Sequence, residues 1–138
     1  MNKRKLVTLF YWVLGLGTLA NGIWMLISPA TWYTELPAGV PDTGPLNSHF
    51  VHDLGVVFAI AGAGAIWCAR NLERCAPVHV GITAFIAGHA LVHVIELMVG
   101  LLPADHWWMD APLVFVPAAI LLAITPAILR GGFREAPP

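Results

Sequence analysis

The sequence predicts an all-α, integral membrane four-helix bundle, and three observations carry that expectation. Hydrophobic residues make up 58% of the 138-residue chain and charged ones only 11%, well outside the balance of a soluble domain. Four apolar stretches, residues 6–27, 49–69, 78–102 and 111–129, match the roughly 20 residues at about 1.5 Å each that cross a hydrocarbon core of about 30 Å. These runs lack sustained alternation and are too long for barrel strands. Residues 1–138 thus read as a single transmembrane domain.

The first span follows Lys3, Arg4 and Lys5. Its basic start and apolar centre resemble a signal sequence, but no clear small-residue cleavage site follows, so it reads as a retained signal anchor. A loop of residues 28–48, "SPATWYTELPAGVPDTGPLNS", holds four prolines and two glycines, which favours an extended or lid-like segment with one interfacial helical turn at 31–36. Asn47 or Ser48 is placed to cap the second span. That span is rich in small residues, Gly55, Ala59, Gly62 and Ala63, as is the third with Ala84 and Gly88. Such residues let helix backbones approach closely in lipid. A short connection between the second and third spans makes them the expected packing partners. Pro103 breaks the third span, and the fourth ends before Arg130.

All seven basic residues lie at three places: Lys3, Arg4 and Lys5; Arg70 and Arg74; Arg130 and Arg134. The positive-inside rule then places both termini and the Arg70–Arg74 turn in the cytoplasm of a cell with a bacterial-type inner (plasma) membrane, and the other two loops outside. Those outer loops carry Glu35, Asp42, Asp105 and Asp110, with Trp32, Tyr33, Trp107 and Trp108 as an aromatic belt. The lipid bilayer is the expected partner, joined by other membrane subunits or a second copy. A nucleic-acid role is not expected, because the cationic edge is short and faces headgroups. Cys68 and Cys75, on the cytoplasmic side, match no common zinc spacing and read as reduced packing or surface residues. Trp12, Trp24 and Trp67 read as packing or lipid-facing side chains.

The chemistry concentrates in "HALVHVIEL". His89, His93 and Glu96 are spaced i, i+4, i+7, which confines them to an arc of about 60° on one helix. The second span opens with "NSHFVHDLG", so His49, His52 and Asp53 lie within its first turns. Opposite helix directions bring both sets to similar depth, and Asn21 of the first span reaches the same level. Titratable groups inside a span cost roughly 2.5–3.5 kcal/mol for a central Asp, so retained ones are functional candidates. The sequence therefore predicts one outer-leaflet site built from His49, His52, Asp53, His89, His93 and Glu96, with Asn21 supporting those side chains from behind or touching the substrate. Asp105, His106 and Asp110 would form a rim or entry funnel above it. His79 and His106, near the two membrane edges, are expected to be solvated.

Imidazole and carboxylate together are the ligand set of transition metals, and two His at i, i+4 form a chelating pair. A single metal ion, copper, zinc or iron, serving metal handling or redox chemistry is thus the leading expectation. His52, His89 and His93 would be ligands, Asp53 and Glu96 would complete or tune the shell, and His49 would guard access. The order His-x-x-Glu and the presence of only two carboxylates fit a di-iron centre poorly. Haem b is the alternative cofactor, ligated by His52 with His89 or His93 and accommodated by Gly55 and Gly88. A metal-free reading makes the same groups an acid–base site for a lipidic substrate. An accessory subunit of a larger membrane complex is the remaining class.

The layout of "NGIWMLISPATWYTELPAGVPDTGPLNSHFVHDLG", a Gly/Ala-rich span and "HALVHVIEL" is similar to that of small bacterial four-helix membrane proteins of the DoxX-like group. The resemblance implies the four-helix fold and a link to thiosulfate or quinone redox chemistry. It supplies no catalytic motif that maps onto particular residues here.

Overall fold

The computed structural model describes residues 2–133, and among them the chain is entirely helical. The long helices are α1 (Lys3–Ile27), α3 (Ser48–Arg70) and α4 (Ala76–Met98), followed by a π-helical turn (Ala111–Phe115) that runs on into α6 (Val116–Leu129). Two short helices lie in the connections: α2 (Pro29–Glu35), followed by a 3₁₀ turn (Val40–Thr43), and α5 (His106–Met109). Four segments are long and apolar enough to cross a membrane, which marks a multi-pass membrane protein. Only 17–28% of each span's most apolar window is buried within the chain. The remainder of that apolar surface, including Ile27, Ile60 and Met98, faces outward, as lipid contact requires and water would not tolerate.

Local chemistry sets the helix ends. Asn2 and Asn47 cap α1 and α3 by accepting from the Arg4 and Phe50 backbone N–H groups. The third span stops at Met98 rather than continuing to residue 102, because Gly100 adopts φ +75° and turns the chain. Leu101 N–H then donates to the Glu96 carbonyl and Gly100 N–H to that of Leu97, the Schellman closure of a helix C-terminus. Pro103 comes after the break and does not cause it. In the loop of residues 28–48, α2 occupies the place of the expected turn, starting two residues before it and ending one residue earlier.

The main helix contact differs from the one expected. The chief partner of α3 is α1, whereas α4 packs chiefly on α6. Glycine decides this. A Cβ placed on Gly22 would lie 2.6 Å from the Ala59 backbone nitrogen, and one on Gly15 would lie 2.7 Å from Ile66 Cγ1. Gly55 and Gly62 supply the matching gaps on α3, against Gly22 and Leu19. Heptad-spaced glycines on both helices thus bring the two backbones together, the small-residue packing available in lipid. Gly88 meets nothing within 4 Å and Ala84 is exposed, so these two small residues of α4 do not serve helix packing inside this chain.

The two helix pairs are joined at the end holding the termini by a buried hydrogen-bonded hub. Tyr11 of α1 lies 2.7 Å from His79 Nδ1 of α4, and His79 Nε2 lies 2.9 Å from Thr125 Oγ1 of α6. His79 is fully buried, against the expectation of a solvated residue: the helix begins at Ala76, so His79 already lies inside the bundle. Around it pack Leu14, Cys68, Cys75, Ile82 and Leu121. Both cysteines are free and buried. At the same end, Arg4 pairs with Glu73 at 2.8 Å and donates to the Phe133 carbonyl at 3.0 Å, gathering the N-terminus, the 71–75 turn and the end of α6.

This packing gives a differential prediction. Gly22→Leu should force α1 and α3 apart and lower the thermal midpoint in mild detergent by several degrees or prevent folding, as overpacking costs roughly 1–3 kcal/mol or more. Gly88→Leu, on open helix surface, should leave the midpoint within about a degree. Equal effects at the two positions would remove the assigned role of the glycine contact.

Candidate functional site

At the opposite end of the bundle the two loops meet over α4, and four side chains join them. Asp110, the residue before the π-helical turn, presents Oδ2 to two imidazoles at once. His93 Nδ1 lies 2.8 Å away and His106 Nδ1 3.2 Å away. His106 Nε2 in turn lies 3.2 Å from Asp42 Oδ2, in the 3₁₀ turn of the first loop. The result is a continuous chain: Asp42, His106, Asp110, His93. Asp42 is its most exposed member, at 49% of the side chain, with His106 and Asp110 at 0% and His93 at 14%. One end is wet and the other lies within a span.

Backbone geometry builds this chain. His106 and Asp110 are i, i+4 across α5, and the Asp110 backbone N–H donates to the His106 carbonyl. The Asp110 carbonyl accepts from Val114 N–H and, five residues on, from Phe115 N–H. Pro117 has no N–H to offer Leu113, and the wider i→i+5 pattern starts just before it; such π turns recur at functional sites. On the facing loop, Gly39 has φ +58° and packs against His106, where a Cβ would lie 2.9 Å from Nε2. Only glycine suits both demands. Asn21 helps hold that loop: its Oδ1 accepts from Trp32 Nε1 at 2.9 Å, and Trp32 joins Met25 and Val51 in a small core.

Charge states follow from the partners. A carboxylate oxygen only accepts, so each ring nitrogen facing one carries a proton. His106 faces a carboxylate at each ring nitrogen, the setting that favours an imidazolium. Burial opposes that charge, but the hydrogen bonds and charges of Asp42 and Asp110 outweigh it and raise His106 above the usual imidazole value. The contact of His93 Nδ1 with Asp110 favours the tautomer protonated at Nδ1. Asp110 Oδ1 is buried without a hydrogen-bond partner among the described residues.

The sequence-predicted residues separate into two groups. His93 is in the chain, and His89 lies beside it, ring centroids 4.7 Å apart, with Phe58 and Phe85 around it. Glu96, partly buried, has no side-chain hydrogen bond among the described residues. His49, His52 and Asp53 stay on the exposed face at the start of α3, where His49 Nε2 is 3.5 Å from Asp53 Oδ2 with side chains 89% and 68% exposed. Gly55, expected to leave room for a haem, is filled against Met25 and Leu26. Among the described residues no group of three or more His, Cys, Asp or Glu side chains is arranged to hold a metal ion.

His106, expected to be solvated, is fully buried, and Asp110, placed on a rim, is the centre of the chain. The signal available for them was the i, i+4 spacing of His106 and Asp110 immediately before the fourth span. Nothing local marked Asp42, which arrives through the fold of a proline-rich loop. Comparison with family models, curated proteins and solved structures finds no match to this chain.

The two-carboxylate setting of His106 predicts a pH dependence. Its folded value lies above the unfolded imidazole value of about 6.5, so its contribution to stability is complete below about pH 6.5 and is lost as pH rises through the raised value. Wild type should therefore exceed His106→Gln in thermal midpoint most at pH 6, with the gap closing on the alkaline side. A gap that stays constant from pH 6 to 9 would show that His106 is not charged.

Proposed function

We propose that this is a multi-pass protein of a bacterial-type inner membrane, with both termini cytoplasmic, whose outer loop end carries an acid–base site. His93 is the base, Asp110 orients it, and His106 with Asp42 links the buried carboxylate to water. The carrying observation is the 2.8 Å contact between His93 Nδ1 and Asp110 Oδ2, which fixes the tautomer and leaves Nε2 to take a proton, as in other carboxylate-oriented imidazoles. A proton taken at Nε2 creates a positive charge already faced by Asp110. The substrate class is lipidic or small and apolar, reaching His93 from the bilayer. The orientation rests on the basic residues gathered at the end of the termini and the acidic ones in the two loops at the other end.

A metal at the same place is the second reading, and the His89–His93 pair favours it. Two imidazoles on adjacent turns, one backed by a carboxylate, resemble ligands with their usual outer partner. A copper, zinc or iron ion there would draw its other donors from water or from a second chain, and its role would be metal handling or redox chemistry. The apolar flank of α4 would then meet lipid, a second copy or another membrane subunit.

One preparation separates these readings: gently detergent-purified protein analysed for metals, by visible absorption and by NMR of ¹⁵N-labelled histidine. The acid–base site is expected to show no stoichiometric metal, a neutral His93 protonated at Nδ1, and loss of that tautomer preference in Asp110→Asn. About one equivalent of metal that disappears in His93→Ala would replace this reading with the metal site, and a Soret band would replace it with haem. A neutral His93 protonated at Nε2 would overturn the assigned base.

A further inference from the structure

The basic end of the bundle contains two adjoining cavities that the His–carboxylate site does not use. One, of about 440 Å³, is lined by Asn2, Arg4, Lys5, Thr8, Leu9 and Trp12. The other, of about 470 Å³, shares Asn2 and Arg4 and adds Lys3 and the Ala127 and Phe133 region of the α6 end. We propose that these two open depressions form a binding site for an anionic phospholipid, with its headgroup laid across Arg4, which both share, between Lys5 on one side and Lys3 on the other, and an acyl chain running along α1.

Three features converge on that ligand. Two of the cations are held in place: Arg4 is fixed by Glu73 and the Phe133 carbonyl, and the Arg70 guanidinium lies 5.5 Å from the Trp12 ring centroid, at the wall of the first cavity. Glu73 is the only acid near this end among the described residues, against Lys3, Arg4, Lys5, Arg70, Arg74 and Arg130, so the region keeps a positive excess. From the cavity an apolar track leads away along one face of α1 through Leu9, Val13 and Leu16, each more than half exposed, at i, i+4, i+7 spacing. A headgroup cavity continuous with an apolar track suits an amphiphile, whereas free phosphate would use only the first half. Thr8 and Asn2 add hydrogen-bonding groups that a phosphodiester or glycerol can engage. Basic pockets beside spans on the cytoplasmic side are the known setting for such headgroups.

The inference rests on the membrane-spanning reading, and the test keeps the two apart. The protein is reconstituted into nanodiscs of phosphatidylcholine alone or with phosphatidylglycerol of the same acyl chains. Lipid that stays bound on ejection from the disc is then identified by native mass spectrometry. Phosphatidylglycerol should be retained over phosphatidylcholine by roughly tenfold. Lys5→Gln and Lys3→Gln should each reduce that preference about fivefold, while Arg130→Gln, outside both cavities, should leave it unchanged. Equal retention of the two lipids would overturn the site. An equal loss in Arg130→Gln would show diffuse end charge and overturn it as well. Displacement of the lipid by millimolar inorganic phosphate would reassign the cavity to the free anion. Failure to enter discs of either composition would instead overturn the membrane reading, and this inference with it.

Discussion

Helices in lipid gain nothing from leaving water, so their association depends on close packing and on polar groups that need partners. In this chain the second requirement is met most fully by His79. It is buried without exposure and uses both ring nitrogens, toward Tyr11 on α1 and Thr125 on α6. The α1–α3 pair holds itself together through glycine contacts, and α4 and α6 pack on each other, but the hub couples the two pairs. Loss of one partner would leave a polar group in an apolar interior, which is costly. The hub therefore fixes the relation of α4 to its neighbours, and His93 lies four turns along that same helix.

The far end of α4 is held differently. There the connections are long and one is rich in proline, so their placement depends on contacts between loops. Trp32 bonded to Asn21, Gly39 pressed against His106, and Asp42 bonded to His106 form a series from α1 to α5. Each contact narrows the freedom of the next. Asp110 completes the series by accepting from a residue of α5 and a residue of α4. The same bonds that close the loops over the bundle thus orient His93, and loop closure and site geometry are one event.

Much of this was legible in the sequence, and the exceptions have physical causes. Span number and approximate limits follow from apolar length alone, and the stripe of His89 and His93 follows from helical spacing. Pairing of the helices did not follow from loop length, because Gly15, Gly22, Gly55 and Gly62 allow a closer α1–α3 approach than the short turn requires of α3 and α4. His49, His52 and Asp53 stay exposed at the start of α3, with no hydrogen bond to His93 among the described residues. His79 and His106 were misjudged for a related reason. Position near a membrane edge says little about burial when a helix starts early or a loop folds back. Asp42 is a tertiary arrival with no local pattern to announce it.

The charge arrangement at the loop end explains why a polar chain can persist so close to apolar surface. Asp42 and Asp110 flank His106, and Asp110 also faces His93, so each imidazole of the chain has a carboxylate beside it. Asp110 Oδ1 lacks a hydrogen-bond partner among the described residues. In the acid–base reading we propose, a proton taken by His93 would place a positive charge beside that carboxylate through geometry fixed beforehand, the usual source of electrostatic catalysis. The exposed Asp42 at the other end keeps the same chain in contact with water, and on that reading a proton taken within the span would have a bonded route toward the surface.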